Sequence, residues 1–125
     1  MADQLHDDVF DNGLNVVKNN TENLYLLNAD PGLTWANIAA YAVGVKAAPS
    51  ISSPADRTGG GRKVTVSAIT DGEVTVTDPA ASYFALTDDS ATKILVSGDL
   101  TAPQAVTDGN VFTLNAFDVG IPDPD

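Results

Sequence analysis

An alternation of apolar and polar residues over Arg62–Thr77 constrains the fold of this chain more than any other sequence feature. Valines occupy alternate positions on both sides of the dipeptide Asp71-Gly72. A period of two is typical of a strand with one buried face, and Asp-Gly favours a two-residue turn because glycine tolerates positive φ. The segment therefore predicts a β-hairpin with its turn at Asp71-Gly72.

Further strand patterns follow this segment and recur about every ten residues. They are Ser82–Thr87, Thr92–Ser97, Gln104–Val106 and Val111–Leu114. We expect the first two to form a hairpin through Asp88–Ala91, and the last two to form another through the turn residues 108–110. The fold class that this spacing predicts is mainly β, of the α+β type: an antiparallel β-sandwich or small barrel, with one or two short N-terminal helices and extended terminal arms.

The first half of the chain begins with a helical pattern. Phe10, Leu14 and Val17 recur at helical spacing behind Asp7 or Asp8, either of which can cap the N-terminus of a helix. They predict a helix of about three turns.

A short strand and a second helix are expected next. The apolar run Asn23–Asn28 is too short for an independent helix and predicts a buried strand. Thr34 can cap a short helix that Gly44 would end. The residues that would share the apolar face of this helix are Trp35, Ile38, Ala39 and Ala42.

A chain of 125 residues favours a single domain, because it is long enough for one core and short for two. Its expected parts are a mobile arm at 1–6, a helix and strand subregion at 7–53, a Gly/Pro linker at 54–61, an antiparallel β core at 62–117 and an extended tail at 118–125. The tail contains Val119 and Ile121 as candidate anchors, followed by two prolines that cannot donate to a ladder.

Composition excludes several classes of function. The chain has 17 acidic and 6 basic residues and a formal net charge of −11, which repels nucleic acid and anionic lipid. No apolar run approaches the roughly 18 to 20 residues that span a bilayer. Cysteine is absent, which excludes disulfides and thiolate metal sites. We therefore expect no nucleic acid partner, no membrane partner and no cofactor.

Residues that could support catalysis or metal binding have simpler interpretations. His6 is the one histidine and lies in the expected mobile arm, where a general base would not be held in place. Asp7, Asp8 and Asp11 fit helix capping better than a calcium loop, and Asp88-Asp89 fits a hairpin turn better than a carboxylate pair. We expect no enzymatic activity.

A local basic cluster stands out against the acidic background. Arg57, Arg62 and Lys63 carry half of the six positive charges and lie beside Gly59–Gly61. The cluster is either a solvated loop or a contact site for an acidic partner surface. Both interpretations remain open from the sequence.

Three segments together resemble a known protein family. They are His6–Leu14, Ser53–Val66 and Asn110–Asp123, and they are similar to small virion structural proteins of tailed bacteriophages. The resemblance implies a capsid cement or decoration protein, made in the host cytoplasm, that binds the major capsid protein on the outer shell as a dimer or trimer. The alternative from the same particle is a tail or head-fibre module that stacks aromatic rings on a host surface glycan.

Overall fold

Antiparallel strands dominate the structure, a computed structural model that describes residues 4–5, 13–58 and 60–121. The strands are β1 (Gln4–Leu5), β2 (Asn23–Leu27), β3 (Ala42–Ala47), β4 (Ala55–Asp56), β5 (Arg62–Val66), β6 (Ile69–Val74), β7 (Asp78–Asp88), β8 (Lys93–Val106), β9 (Val111–Leu114) and β10 (Phe117–Ile121). The helices within the described residues are α1 (Leu14–Asn20), α2 (Ala36–Tyr41) and the 3₁₀ helix Asp89–Ala91.

The strands form two antiparallel sheets. The larger has seven strands in the order β1-β8-β7-β2-β3-β6-β9 and curls into a half-barrel. The smaller has three strands in the order β10-β5-β4. The predicted fold class, a mainly β chain of sandwich or barrel type with short helices, is confirmed.

The main core lies between the half-barrel and a cover made of the small sheet and α1. Leu14 and Val17 of α1 and Val64 and Val66 of β5 are buried against the larger sheet. A second cluster on the other face of that sheet contains Ile38 of α2. Because both faces are covered near β7 and β8, those strands contain consecutive buried residues in place of strict alternation.

The predicted hairpin over Arg62–Thr77 is wrong. β5 pairs with β4 and β10, whereas β6 pairs with β3 and β9, so the chain crosses from one sheet to the other after Val66. Gly72 lies within β6 under the ring of Phe112, where an added Cβ would be 2.3 Å from ring carbons. This glycine therefore allows a ring to pack closely on a strand and does not form a turn.

Of the two later hairpins, one is confirmed and one is wrong in its pairing. β7 and β8 pair on both sides of the 3₁₀ helix, with Asp88 opposite Lys93. The turn at 108–110 is present, with φ of 87° at Gly109. β9 nevertheless pairs with β6, because the preceding end of β8 remains on β7, where Val106 lies opposite Asp78.

In the first half, the buried strand is confirmed as β2, but both helices differ from their predicted bounds. α1 begins at Leu14 because Gly13 has a φ of 72°, which is incompatible with a helix running through it. α2 ends at Tyr41, and Thr34 makes no side-chain cap. Gly44 lies in β3, where an added Cβ would be 3.0 Å from the Phe112 ring.

The expected linker and tail both contribute strands. Ala55–Asp56 of the linker form β4, and Asp118–Ile121 of the tail belong to β10, which pairs with β5 over its whole length. These tail residues are therefore not an extended strap. Residues 122–125, most of the arm at 1–6, and the acidic residues Asp7, Asp8 and Asp11 lie outside the described residues.

Within the part of the chain that the structure describes, no helix is long and apolar enough to cross a membrane.

Candidate functional site

An open cleft of about 540 Å³ lies between the second half of β8 and the segment that runs from the end of β9 into β10. Its described lining is mostly apolar, and its polar side chains are those of Asp99, Thr101, Gln104, Asn115 and Asp118. The apolar side chains at its walls include Leu100, Ala102, Pro103, Leu114, Ala116 and Phe117. This opening is here called the seam cleft.

A bulge in β8 forms one wall of the seam cleft. Tyr83 lies opposite Asp99 and Ala81 lies opposite Gln104, so one residue of β7 faces the four residues Leu100–Pro103 of β8. An excess of residues on one strand bends it away from its partner. Leu100 packs partly against the main core, while 101–103 are exposed at the mouth of the cleft.

The other wall is β10. Its five residues pair without interruption with β5, and among the described residues β10 has no other strand partner. Phe117 contacts Phe84 with ring centroids 4.6 Å apart, and Val119 is only 6% exposed. The main core therefore holds this wall in place from behind.

Asp118 of β10 interacts with two side chains of β5 on the solvent-facing side of the small sheet. Its carboxylate accepts a hydrogen bond from the Thr65 hydroxyl at 2.7 Å and forms an ion pair with Lys63 at 3.1 Å. These two groups hold the pKa of Asp118 below its ordinary value. The carboxylate therefore remains charged at neutral pH.

A side-chain hydrogen bond crosses the seam between β8 and β9. The Gln104 amide donates to the Thr113 carbonyl oxygen at 2.9 Å. No ladder joins the two strands within the described residues. The half-barrel thus remains open along the cleft and is bridged at this point.

The basic cluster lies on the outward face beside β10. Arg62 pairs with Asp56 at 2.7 Å, and Lys63 pairs with Asp118, so both cations have carboxylate partners within the chain. Arg57 donates to the Gly60 carbonyl oxygen at 3.0 Å, and its side chain lies against Gly120. Arg57 and Lys63 line a shallow depression with Asp118. An interaction role for Arg57, Arg62 and Lys63 stays a prediction.

The candidate anchors of the tail face the protein interior. Val119 is part of the main core, and Ile121 is partly buried against it. Neither side chain projects from the body as a strap would require.

The aspartate pair Asp88-Asp89 organises the turn between β7 and β8. The Asp88 carboxylate accepts from the Ala91 amide, and Asp89 accepts from the Tyr25 hydroxyl at 2.7 Å. Burial and the hydrogen bond to Asp89 raise the pKa of Tyr25 to about 12. Glu22 accepts from the Ser90 amide at 2.7 Å. Hydrogen bonding to the Ser90 side chain and amide lowers the pKa of Glu22. The turn interpretation of the pair is confirmed.

The remaining candidate groups for metal binding, catalysis or ring stacking do not form a site among the described residues. No group of three or more His, Cys, Asp or Glu side chains there is arranged to hold a metal ion. His6 lies outside the described residues. Trp35, Tyr41 and Tyr83 pack around the second apolar cluster, and Phe84 is buried in the main core, so these rings stabilise the fold.

Sequence reasoning missed the seam cleft because the cleft depends on a bulge and on long-range pairing. One signal was present: Pro103 interrupts the apolar pattern of β8, and proline within a strand pattern indicates an edge or a bulge. The pairing of β10 with β5 has no comparable local signal.

Comparisons with known proteins give no relative: no family profile, no curated protein and no solved structure matches the chain.

Proposed function

We propose that this protein is a structural component of a tailed-phage particle, a cement protein that binds the major capsid protein on the outer shell. The observation that carries the proposal is the seam cleft: an open, mostly apolar groove with walls formed by a bulged strand and a strand edge. Such a groove suits a segment of another protein, because apolar walls and strand edges supply the contacts that hold polypeptide chains.

The chemistry of the cleft favours binding over catalysis. Its described lining contains carboxylates and amides but no histidine, cysteine, lysine or arginine. A nucleophile paired with a histidine or lysine general base, an arrangement that many acyl-transfer enzymes use, is not among these residues. We therefore propose a binding role without turnover.

Charge supports a position on the outer surface of the particle. A net charge of −11 produces a field that repels packaged nucleic acid, so contact with the inner side of a shell would be unfavourable. The resemblance of His6–Leu14, Ser53–Val66 and Asn110–Asp123 to small virion proteins supplies the class of partner. A shell contact beside β10 would also bring Arg57, Arg62 and Lys63 close to the partner.

The proposal is tested by adding the purified protein to particles that lack it and measuring what sediments with them. A cement protein is expected to saturate at a fixed ratio to the major capsid protein. A tail or fibre module would saturate at a few copies for each particle, and a glycan array would then identify its sugar. Absence of the chain from sedimented particles would contradict both roles.

A further inference from the structure

We infer that the seam cleft binds an extended segment of the partner protein by strand addition to the outer edge of β10. The three-stranded sheet would then become four-stranded, in the order segment-β10-β5-β4. This inference rests on the proposed function for the identity of the partner, the major capsid protein. The arguments for the site itself come from backbone pairing, side-chain alternation and charge.

The edge of β10 is suited to receive a strand. In an antiparallel pair, alternate residues direct their N–H and C=O groups away from the partner. β10 is paired with β5 at all five of its residues without a register shift, so its outward groups are evenly spaced. Those groups face the cleft, since 117–120 line it. An added strand would bond to them as strands do in β-augmentation.

Competing edges in the described residues are less suitable. β4 has two residues, and β8 is bulged over Leu100–Pro103, where the proline lacks an amide donor. On β9, the Thr113 carbonyl already accepts from Gln104. Bulges and prolines are devices that block pairing at an edge, and β10 has neither.

Side-chain alternation on β10 defines the pattern of the segment. Phe117 and Val119 face the main core, whereas Asp118 faces solvent. Residues directly opposite on an added strand point to the same side as their partners. The segment should therefore have apolar side chains opposite Phe117 and Val119, which would fill the cleft under the bulge of β8.

Charge defines one further feature of the segment. The described lining contains Asp99 and Asp118 and no cation. Asp118 already pairs with Lys63, whereas Asp99 forms no ion pair with another described residue. Asp99 lies where the bulge begins, at the border of the apolar part of the cleft. A lysine or arginine of the segment would complement it.

Two alanines of β8 provide a matched test. Ala102 and Ala105 are both exposed, but only Ala102 lines the cleft. Ala102→Trp should fill the mouth of the cleft and raise the apparent Kd for bare particles by at least about tenfold, as expected for blocking the centre of an interface. Ala105→Trp should leave the Kd within about twofold of wild type.

Two aspartates test the charge argument in the same way. Asp99→Lys should weaken binding to bare particles by about tenfold or more, because it places a cation against the cation of the segment. Asp108→Lys makes the same change in an exposed turn that does not line the cleft, and its effect should be within about threefold. Circular dichroism of all four variants checks that they fold.

Amide hydrogen exchange tests strand addition directly in the wild-type protein. The outward amides of 117–121 should exchange rapidly in the free chain and slowly on particles. If wild type binds particles but these amides gain no protection, and both cleft variants bind as wild type does, the inference is overturned while the proposed function stands. If wild type does not bind particles, the proposed function fails and this inference fails with it. A homodimer that Ala102→Trp abolishes would show that the occupant is a second copy, which also overturns it.

Discussion

Phe112 shows how one side chain can fix the packing of neighbouring strands. Its ring lies over two glycines on adjacent strands, Gly44 of β3 and Gly72 of β6. An added Cβ would be 3.0 Å from the ring at Gly44 and 2.3 Å from it at Gly72. The ring can be buried at 2% exposure only because both positions lack a side chain.

Gly72→Ala should therefore destabilise the protein, because either the buried ring or the strand must shift. We expect a loss of about 1 to 3 kcal/mol in the free energy of unfolding, the usual cost of overpacking. Thr70→Ala, at an exposed position of the same strand, is the control and should change stability by less than about 0.5 kcal/mol. Urea unfolding measures both. Equal stability of Gly72→Ala and wild type would contradict the packing of Phe112.

Ionisation of Tyr25 at alkaline pH should lower the free energy of unfolding. Burial and the hydrogen bond to Asp89 raise its pKa to about 12 in the folded protein, above the ordinary tyrosine value of 10.0. Folding thus favours the neutral phenol. The stabilisation that the phenol gives to the folded state is complete below about pH 10 and is lost as the pH rises through the pKa of the folded state. The urea midpoint of wild type should fall more steeply between pH 10 and 12 than that of Tyr25→Phe. Tyr83→Phe, which leaves Tyr25 in place, should retain the steep fall.

At the scale of elements, β10 is a structural strand whose outer edge pairs with no other strand among the described residues. Val119 is 6% exposed, whereas Val111 of β9 is 65% exposed. The two valines lie on neighbouring elements of the sequence and differ in burial, which makes them a matched pair for testing whether β10 belongs to the body.

Val119→Ala should lower the free energy of unfolding by about 2 kcal/mol, because it removes buried methyl groups and leaves a small cavity. Val111→Ala should change it by less than about 0.5 kcal/mol. The measurement is urea unfolding monitored by the fluorescence of Trp35. Small and equal effects would mean that β10 detaches from the body, as the tail interpretation of the sequence requires.

Strand existence was predictable from this sequence, but strand pairing was not. The alternation around Val64 and Val74 identifies two strands, and the turn chemistry of Asp88–Ala91 correctly joins two others. Local signals report burial and turns, whereas the partner of a strand depends on distant residues. Asp71-Gly72 shows the difference: a dipeptide favoured in turns lies within β6, because packing against Phe112 outweighs local preference.

The candidate site was less predictable than the fold for the same reason. Arg62 and Lys63 stand out in the sequence by charge, and the structure gives each an acidic partner in the chain. The residues of the seam cleft are mostly ordinary apolar side chains with a few amides, carboxylates and one hydroxyl, and only the β8 bulge and the β5–β10 pairing bring them together.

At the scale of the whole molecule, both halves of the chain contribute strands to the larger sheet. β2 and β3 from the first half lie between β7 and β6 from the second, so neither half has a complete sheet alone. The body supports an open seam at one side and has a net charge of −11. In the proposed cement role, a folded body with an open strand edge could bind a neighbouring subunit without refolding.

A cryo-electron microscopy map of particles saturated with the protein tests this account most directly. We predict density for the chain at equivalent positions over the outer surface of the head, with an extended segment of the major capsid protein paired to the outer edge of β10. Particles that bind the chain with this edge facing solvent would contradict strand addition, and particles whose heads carry no copies of the chain would contradict the cement role itself.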